Sequence, residues 1–409
     1  MKNNYTLGPR ASFWVAAAVV CHTLWTSAAP AMTYPLYAAQ WGLTHTTTTA
    51  IFAVYPVAVV VMVVLFGDIS DYIGRRTTML AGLSASLAGV LIFAVAPGIP
   101  WVFAGRILMG IGVGLSASPA TAAMIEFSPA GQSKRASSIT TAAQALGLAS
   151  ATLVGGALIQ YAPYPTRLNF WVLFVVLAAV FVAAWFLPRS VPAAATGRWR
   201  PKAPSIPKGL RAIFVTSATA MTIGYALGAV MLSLGAHIAH ELIGSGNVLV
   251  NGAAISLLAV VWGITGIAAR PLPSRAAMIA GGTASTIGLA LLVLSARHHA
   301  LPLFLASSVI SGMGYSLLFM GGLNLMSANV SAHHRGATLS ALYLVAYLVM
   351  GVTALGVGAA ATAWGLEIAI DLGAAGLGLL SIAAIVLAAA VGRAPRRDSP
   401  VTRAALANR

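Results

Sequence analysis

Apolar runs of about twenty residues follow one another along nearly the whole chain, separated by short interruptions rich in charged, glycine and proline positions. A soluble fold of 409 residues would need polar surface on every outer helix and strand, and these runs leave none. Their length matches what a helix needs to cross the ~30 Å hydrocarbon core of a bilayer. The pattern predicts spans at 13–38, 48–66, 77–96, 101–125, 137–160, 168–188, 211–236, 248–269, 276–296, 301–328, 337–363 and 366–391. Twelve spans make an all-α membrane protein. Spans 7 and 12 are interrupted, by His237, His240 and Glu241 and by Glu367 and Asp371.

Composition agrees. Only 7% of residues are Asp, Glu, Lys or Arg, against roughly a quarter in a soluble domain, and 59% are apolar, with a mean hydropathy of +0.89. The N-terminus has the basic start, apolar stretch and A-x-A-like end of a cleaved signal peptide. Its apolar segment continues past Ala31 to about Ala38, long enough to span.

The net charge of +16 acquires a meaning only through position. Of the 23 basic residues, all but Arg106, Arg167 and Arg297 fall on one side of the twelve-span arrangement. By the positive-inside rule that side is cytoplasmic, which places both termini there and the protein in the inner or plasma membrane. The basic tail at 393–409, with Arg393, Arg396 and Arg397, is then a topology and anionic-lipid signal rather than a nucleic-acid arm. The single cysteine, Cys21, excludes an intrachain disulfide and reads as a small packing residue.

The segment 188–211 carries five prolines, two glycines and six basic residues and reads as a linker. It divides the chain into a first six-helix bundle over 1–188, a link at 189–211, and a second six-helix bundle over 212–392. The halves echo each other: "MGIGVG" at 109–114 resembles "SGMGYS" at 311–316, "SKRASS" at 133–138 stands where "HHRGAT" stands at 333–338, and Gly156 matches Gly356. Such internal symmetry marks transporters built from repeated bundles with a site between them.

Between spans 2 and 3 lies "GDISDYIGRR": Gly67, Asp68, Asp71, Gly74, Arg75 and Arg76 in ten positions of an almost uncharged chain. With six spans on each side of a central link, this loop resembles the signature of the major facilitator superfamily, and the resemblance covers essentially the whole chain. It implies two six-helix bundles around a central cavity lined by spans 1, 4, 7 and 10. Asp71 is placed to accept from Arg75, neutralising it, or from a helix N-terminus, where the dipole favours an anion; the resemblance implies that this helix is span 11, starting near Gly336, so that Asp71 latches one half to the other. Glu126 and Arg135, flanking the loop after span 4, read either as members of the same charge cluster or as simple helix-end charges. The corresponding loop of the second half, "GIAARPLPSR" at 266–275, departs from the signature, with Arg270 in place of the acid, so an asymmetric gate is expected.

Charge inside a bilayer is costly and points to function. Arg106 matches the span 4 arginine of the family's proton-coupled antiporters, with snorkelling to the surface as the alternative. His22 is expected near the midplane of span 1 as a proton switch or a packing histidine. Cavity candidates are His22, Trp25, Thr26, Ser116, Tyr225 and Tyr315, with Gln144 from span 5 and Tyr343 and Tyr347 from span 11. His237, His240 and Glu241 have a spacing that suits a metal, but the reading adopted is a solvated helix end, so no metal is predicted. The glycines at 110, 112 and 114 sit inside a span, follow no strand and form no nucleotide cradle; no Walker A sequence occurs, so neither ATP nor another cofactor is predicted. Ala151 and Thr152 replace the Gly-Pro of the family's antiporter motif.

The function expected is therefore secondary active transport by alternating access, as a monomer acting on a small molecule, with proton-coupled export of small amphipathic compounds as the leading case. Uptake of an organic acid or other metabolite is the alternative within transport. A receptor or membrane-embedded enzyme is the alternative outside it, and no convergent nucleophile–base or metal set supports an enzyme.

Overall fold

The computed structural model describes residues 6–129, 132–189, 199, 205–330 and 335–391; most of the central link and the whole basic tail lie outside the described residues. Fourteen α-helices carry the fold, and no strand occurs among the described residues. The first half comprises α1 (Pro9–Ala28), α2 (Tyr34–Trp41), α3 (His45–Phe66), α4 (Ser70–Ile73), α5 (Arg75–Val95), α6 (Ile99–Glu126), α7 (Ser133–Tyr161) and α8 (Leu168–Trp185). The second comprises α9 (Arg211–His237), α10 (Val248–Ala268), α11 (Ser274–Arg297), α12 (Leu301–Asn329), α13 (Arg335–Trp364) and α14 (Leu366–Val391).

These helices form twelve stretches long and apolar enough to span a membrane. The first predicted span is not one helix. Pro30 removes a backbone donor, and a 3-10 turn at Ala31–Thr33 joins α1 to α2. The seventh runs further than predicted, because α9 continues into a π-helical turn over Ile238–Leu242 instead of ending before His237. Local chemistry sets several starts. Thr44 caps α3 by accepting from Thr47 N, Asn247 caps α10 by accepting from Val250 N, and Pro9, Pro100 and Pro302 occupy first-turn positions.

Within the first half α6 packs along α5 and α3, and within the second α12 packs along α11 and α9. The sequence echo has a structural counterpart here. A side chain at Gly112 would meet Ser86 of α5, and one at Gly314 would meet Ser285 of α11, so each half uses a glycine to bring its fourth span against a serine of its third. The halves meet along two seams, α3 against α13 and α7 against α10. Large apolar residues such as Val352, Leu379 and Ile264 cover the outside, and exposed tryptophans sit near helix ends: Trp14 and Trp185 toward the basic end, Trp101, Trp171 and Trp364 toward the opposite one. Lipid on the outside and aromatic belts at both interfaces follow from that distribution.

Candidate functional site

The turn between α3 and α5 is built around two charged contacts and one glycine. Gly74 has φ +90°, in the left-handed region that favours glycine, and lets α4 end and α5 begin in a single residue. Gly67 has an ordinary helical φ of −58°, and a side chain there would meet the carbonyl oxygen of Val63. Arg75 is the hub: its Nη1 donates to Asp71 Oδ1 at 2.5 Å and to Ser70 Oγ at 2.6 Å, and its Nε donates to Glu126 Oε1 at 3.1 Å. Glu126 thus joins the cluster. Arg135 donates to Gln132 instead, at 3.2 Å. Arg76 donates to Leu187 O at 3.2 Å and lies 5.5 Å from the centre of the Trp185 ring. Asp68 accepts from Trp199 Nε1 at 2.9 Å, and that indole stacks on Phe66, so one residue of the link is docked on this turn.

In this conformation Asp71 pairs within its own half. The first residues of α13 are held from the link, with Ser205 N donating to Ala337 O at 3.4 Å and Thr338 Oγ1 donating to Ser205 O at 3.2 Å. The side chains at 335 and 336, where the latch is expected, lie outside the described residues.

The seams close the opposite end. Thr46 N and Oγ1 bond Thr362 Oγ1 at 2.9 and 2.8 Å, Gln160 Oε1 accepts from Val248 N at 2.8 Å, and His45 Nε2 lies 3.5 Å from Glu241 Oε2. Each contact joins the first half to the second. Toward the basic end the halves part around a cavity of about 640 Å³, walled by Ser137 and Thr141 of α7, Arg270 and Pro271 after α10, and Met320 and Asn324 of α12.

A deeper cavity of about 100 Å³ continues from it, sharing Gln144, Trp262 and Phe319. Its walls are aromatic. Tyr225 and Tyr347 meet edge-on at 4.8 Å between ring centres, Trp262 and Tyr315 at 5.1 Å, and Tyr225 lies 6.0 Å from Phe319. Tyr55, Ser27 and Leu24 complete it from the first half.

Of the expected lining, Gln144, Tyr225, Tyr315 and Tyr347 are brought together here. Tyr343 packs instead against the buried cluster around Phe214 and Leu342. His22 lines neither cavity: it is 2% exposed, with Nδ1 2.5 Å from Val19 O and Nε2 3.3 Å from Ser86 Oγ, inside the first bundle. Trp25 and Thr26 also lie off the cavities, with Trp25 Nε1 and Thr26 Oγ1 buried and without partners. Ser116 turns back to its own helix, donating to Gly112 O at 2.7 Å. No α6 residue lines either of these two cavities: α6 is held against α5 by the glycine contacts, and α3, α7, α10 and α13 contribute lining beside α1, α9 and α12.

Arg106 is fully buried, which rules out snorkelling. Its Nη1 donates to Ser27 O at 2.9 Å and its Nε to Ile51 O at 3.3 Å, its guanidinium lies 4.5 Å from the centre of the Tyr55 ring, and Nη2 is buried without a partner. Ser27 and Tyr55, which it touches, are cavity walls, so its charge stands one layer behind the lining.

Sequence reasoning missed Tyr55, Trp262 and Phe319 in the lining and His45 in the seam. Trp262 and Phe319 carried a signal, as bulky aromatics in the middle of spans 8 and 10. His45 carried none, because its partners lie on the other half.

Three solved structures share this architecture. A variant of the nucleoside transporter NupG matches with a TM-score of 0.74 and 12% identity over 92% of this chain and 99% of that one. A variant of the peptide transporter POT matches with a TM-score of 0.74 and 15% identity over 93% and 94%. A bacterial homologue of the human lysosomal transporter Spinster, described as inward-facing and unoccupied, matches with a TM-score of 0.66 and 14% identity over 95% of each chain. At these identities the likeness is one of fold. The sequence model of the Major Facilitator Superfamily matches residues 14–296, more than half of the chain. The chain belongs to the Major Facilitator Superfamily and is a transporter, not an enzyme.

Proposed function

We propose that this protein works by alternating access as a monomer in the inner or plasma membrane, with both termini cytoplasmic, and that it exports small, flat, neutral or weakly charged amphipathic compounds in exchange for protons. The observation that carries the reading is the pair of connected cavities between the halves, open toward the basic end, sealed at the other, and walled at their deep end by Tyr225, Tyr315, Tyr347, Trp262 and Phe319. Aromatic faces with a single amide, Gln144, suit a solute that stacks and makes one or two hydrogen bonds. The described carboxylates lie at helix ends, away from this lining, which disfavours a strongly cationic cargo. Export against protons is supported by Arg106, buried where the family's proton-coupled antiporters place their span 4 arginine.

Uptake of an anionic metabolite is the second reading, favoured by one observation: Arg106 Nη2 has no partner and stands directly behind the cavity wall at Ser27 and Tyr55. A flux assay in proteoliposomes, with a panel of neutral aromatic and anionic solutes and with or without a pH gradient, separates the two. Export is expected for a neutral aromatic solute and to strengthen with the gradient, and Trp262→Ala should raise KM by roughly 2- to 12-fold for the loss of about 0.5–1.5 kcal/mol of stacking. Transport confined to anions and insensitive to Trp262→Ala would overturn the leading reading.

A further inference from the structure

The seal at the opposite end contains a constellation that transport by the cavity does not use. His45, at the start of α3, belongs to the first half; His237, at the end of α9, and Glu241, in the π-helical turn that follows, belong to the second. One ligand atom from each lies within 4.8 Å of the other two. His237 Nδ1 is 2.8 Å from Glu241 Oε1, His45 Nε2 is 3.5 Å from Glu241 Oε2, and the two imidazoles meet edge to face with centres 5.0 Å apart.

We propose that His45, His237 and Glu241 form a binding site for a transition-metal dication of the zinc type, which bridges the two halves and holds the seal closed. Two imidazoles and one carboxylate are the donors such an ion takes in sites that keep a fourth position for water. At bond lengths near 2.0–2.1 Å a tetrahedral ion sets its donors about 3.3 Å apart, and the two imidazoles stand 2.8 and 3.5 Å from the two oxygens of the one carboxylate, close to that value. The imidazoles have to close on one carboxylate oxygen, and Glu241 and His45, both partly exposed, have room to move.

His237 is 1% exposed, and its Nδ1 already faces Glu241. The π-helical turn points the same way: this rare distortion of a helix is frequent at functional sites, and here it follows directly on His237 and contains Glu241. His240, in the same turn, is exposed and outside the constellation, which makes it an internal control.

The consequence for gating rests on alternating access, whereas metal binding itself does not. Opening the seal would carry His45 away from His237 and Glu241. An ion that binds all three donors only in the closed arrangement shifts the equilibrium toward it by its affinity ratio for the two states. The site is therefore an inhibitory clamp, loaded from the side opposite the basic end.

The test uses the purified full chain and zinc chloride alone. Competition against a chromophoric chelator is expected to give one site per chain, weakened at least about tenfold in each of His45→Gln, His237→Gln and Glu241→Gln, since loss of even an outer-shell partner costs 10- to 100-fold, and unchanged in His240→Gln. X-ray absorption on the unmodified protein with one equivalent of zinc should show two imidazoles and no sulfur, which keeps the test valid if a variant fails to fold. For the clamp, Thr152, buried in the α7–α10 seam, is replaced by cysteine in a Cys21→Ala background. Zinc should slow its alkylation at least about tenfold, reversibly with chelator, and have no such effect when His45→Gln is added; magnesium should do nothing. Zinc binding that survives all three ligand variants, a sulfur-containing or all-oxygen shell, or alkylation indifferent to saturating zinc would overturn the proposal.

Discussion

Gly252→Ala is the sharpest perturbation available to alternating access, because it adds one carbon at a place where the two halves touch by backbone. Gly252 lies in α10 and its missing side chain would meet the carbonyl oxygen of Thr152 in α7, across the seam that seals the opposite end. Backbone faces it, so no side-chain rotation relieves the contact, and overpacking of this kind costs about 1–3 kcal/mol. The helix-propensity gain of alanine over glycine, about 1 kcal/mol, is present with the seam open or closed and cancels from the equilibrium between them. The remaining 1–3 kcal/mol corresponds to roughly 5- to 150-fold in population toward the open seam. The readout is the alkylation rate of Thr49→Cys in a Cys21→Ala background, since Thr49 is fully buried in the other seam against Gly358. It should rise by that factor. Gly147→Ala is the matched control: its added carbon meets the carbonyl of Cys21, also backbone, but both residues lie in the first half. That variant should lower thermal stability and leave the alkylation rate alone. An unchanged rate in Gly252→Ala, or an equal rise in Gly147→Ala, would refute the idea that the halves separate along these seams as rigid bundles.

Three further outcomes follow from the same geometry. A reporter fused after Arg409 or inserted near Gly197 should report the cytoplasm, and activity on the other side at either place would overturn the assigned orientation. Asp71→Asn removes a partly exposed partner of Arg75 and should cost no more than about 1 kcal/mol in unfolding; if Asp71 engages α13 when the basic end closes, alkylation of Thr49→Cys should also slow, and an unchanged rate would leave the pair as local neutralisation. His22→Gln should retain gradient-driven transport, since the ring touches Val19 and Ser86 and neither cavity, and loss of coupling with intact binding would return the proton to His22.

The helices were legible because lipid allows the chain little else. With no water to satisfy peptide groups, an apolar run of about twenty residues has to be a helix, and the positions of breaks and basic residues then order the spans. The turn at 67–76 was legible for a related reason: four charges in so apolar a chain stand out whatever holds them, and Arg75 does gather Asp71 and Glu126. What the same logic cannot supply is direction. In a soluble helix the polar stripe faces water and fixes the rotation of every other side chain, whereas a helix that is apolar nearly all round carries no such stripe. Each step along it turns a side chain by about 100°, so depth alone did not reveal that His22 points into its own bundle while Leu24, two positions on, reaches the cavity. Rotation is instead fixed by close contacts between helices, and those contacts are written in the small residues. Gly112 against Ser86 turns α6 toward α5, and Gly314 against Ser285 does the same for α12 and α11 in the second half. The echo between 109–114 and 311–316 was visible in the sequence as a sign of repetition; its physical content is the rotation of the fourth span in each bundle. Beyond that contact the halves diverge: α6 buries Arg106 behind the wall, whereas α12 turns Tyr315 and Phe319 into the cavity, and the aromatic end of the site belongs mainly to the second half.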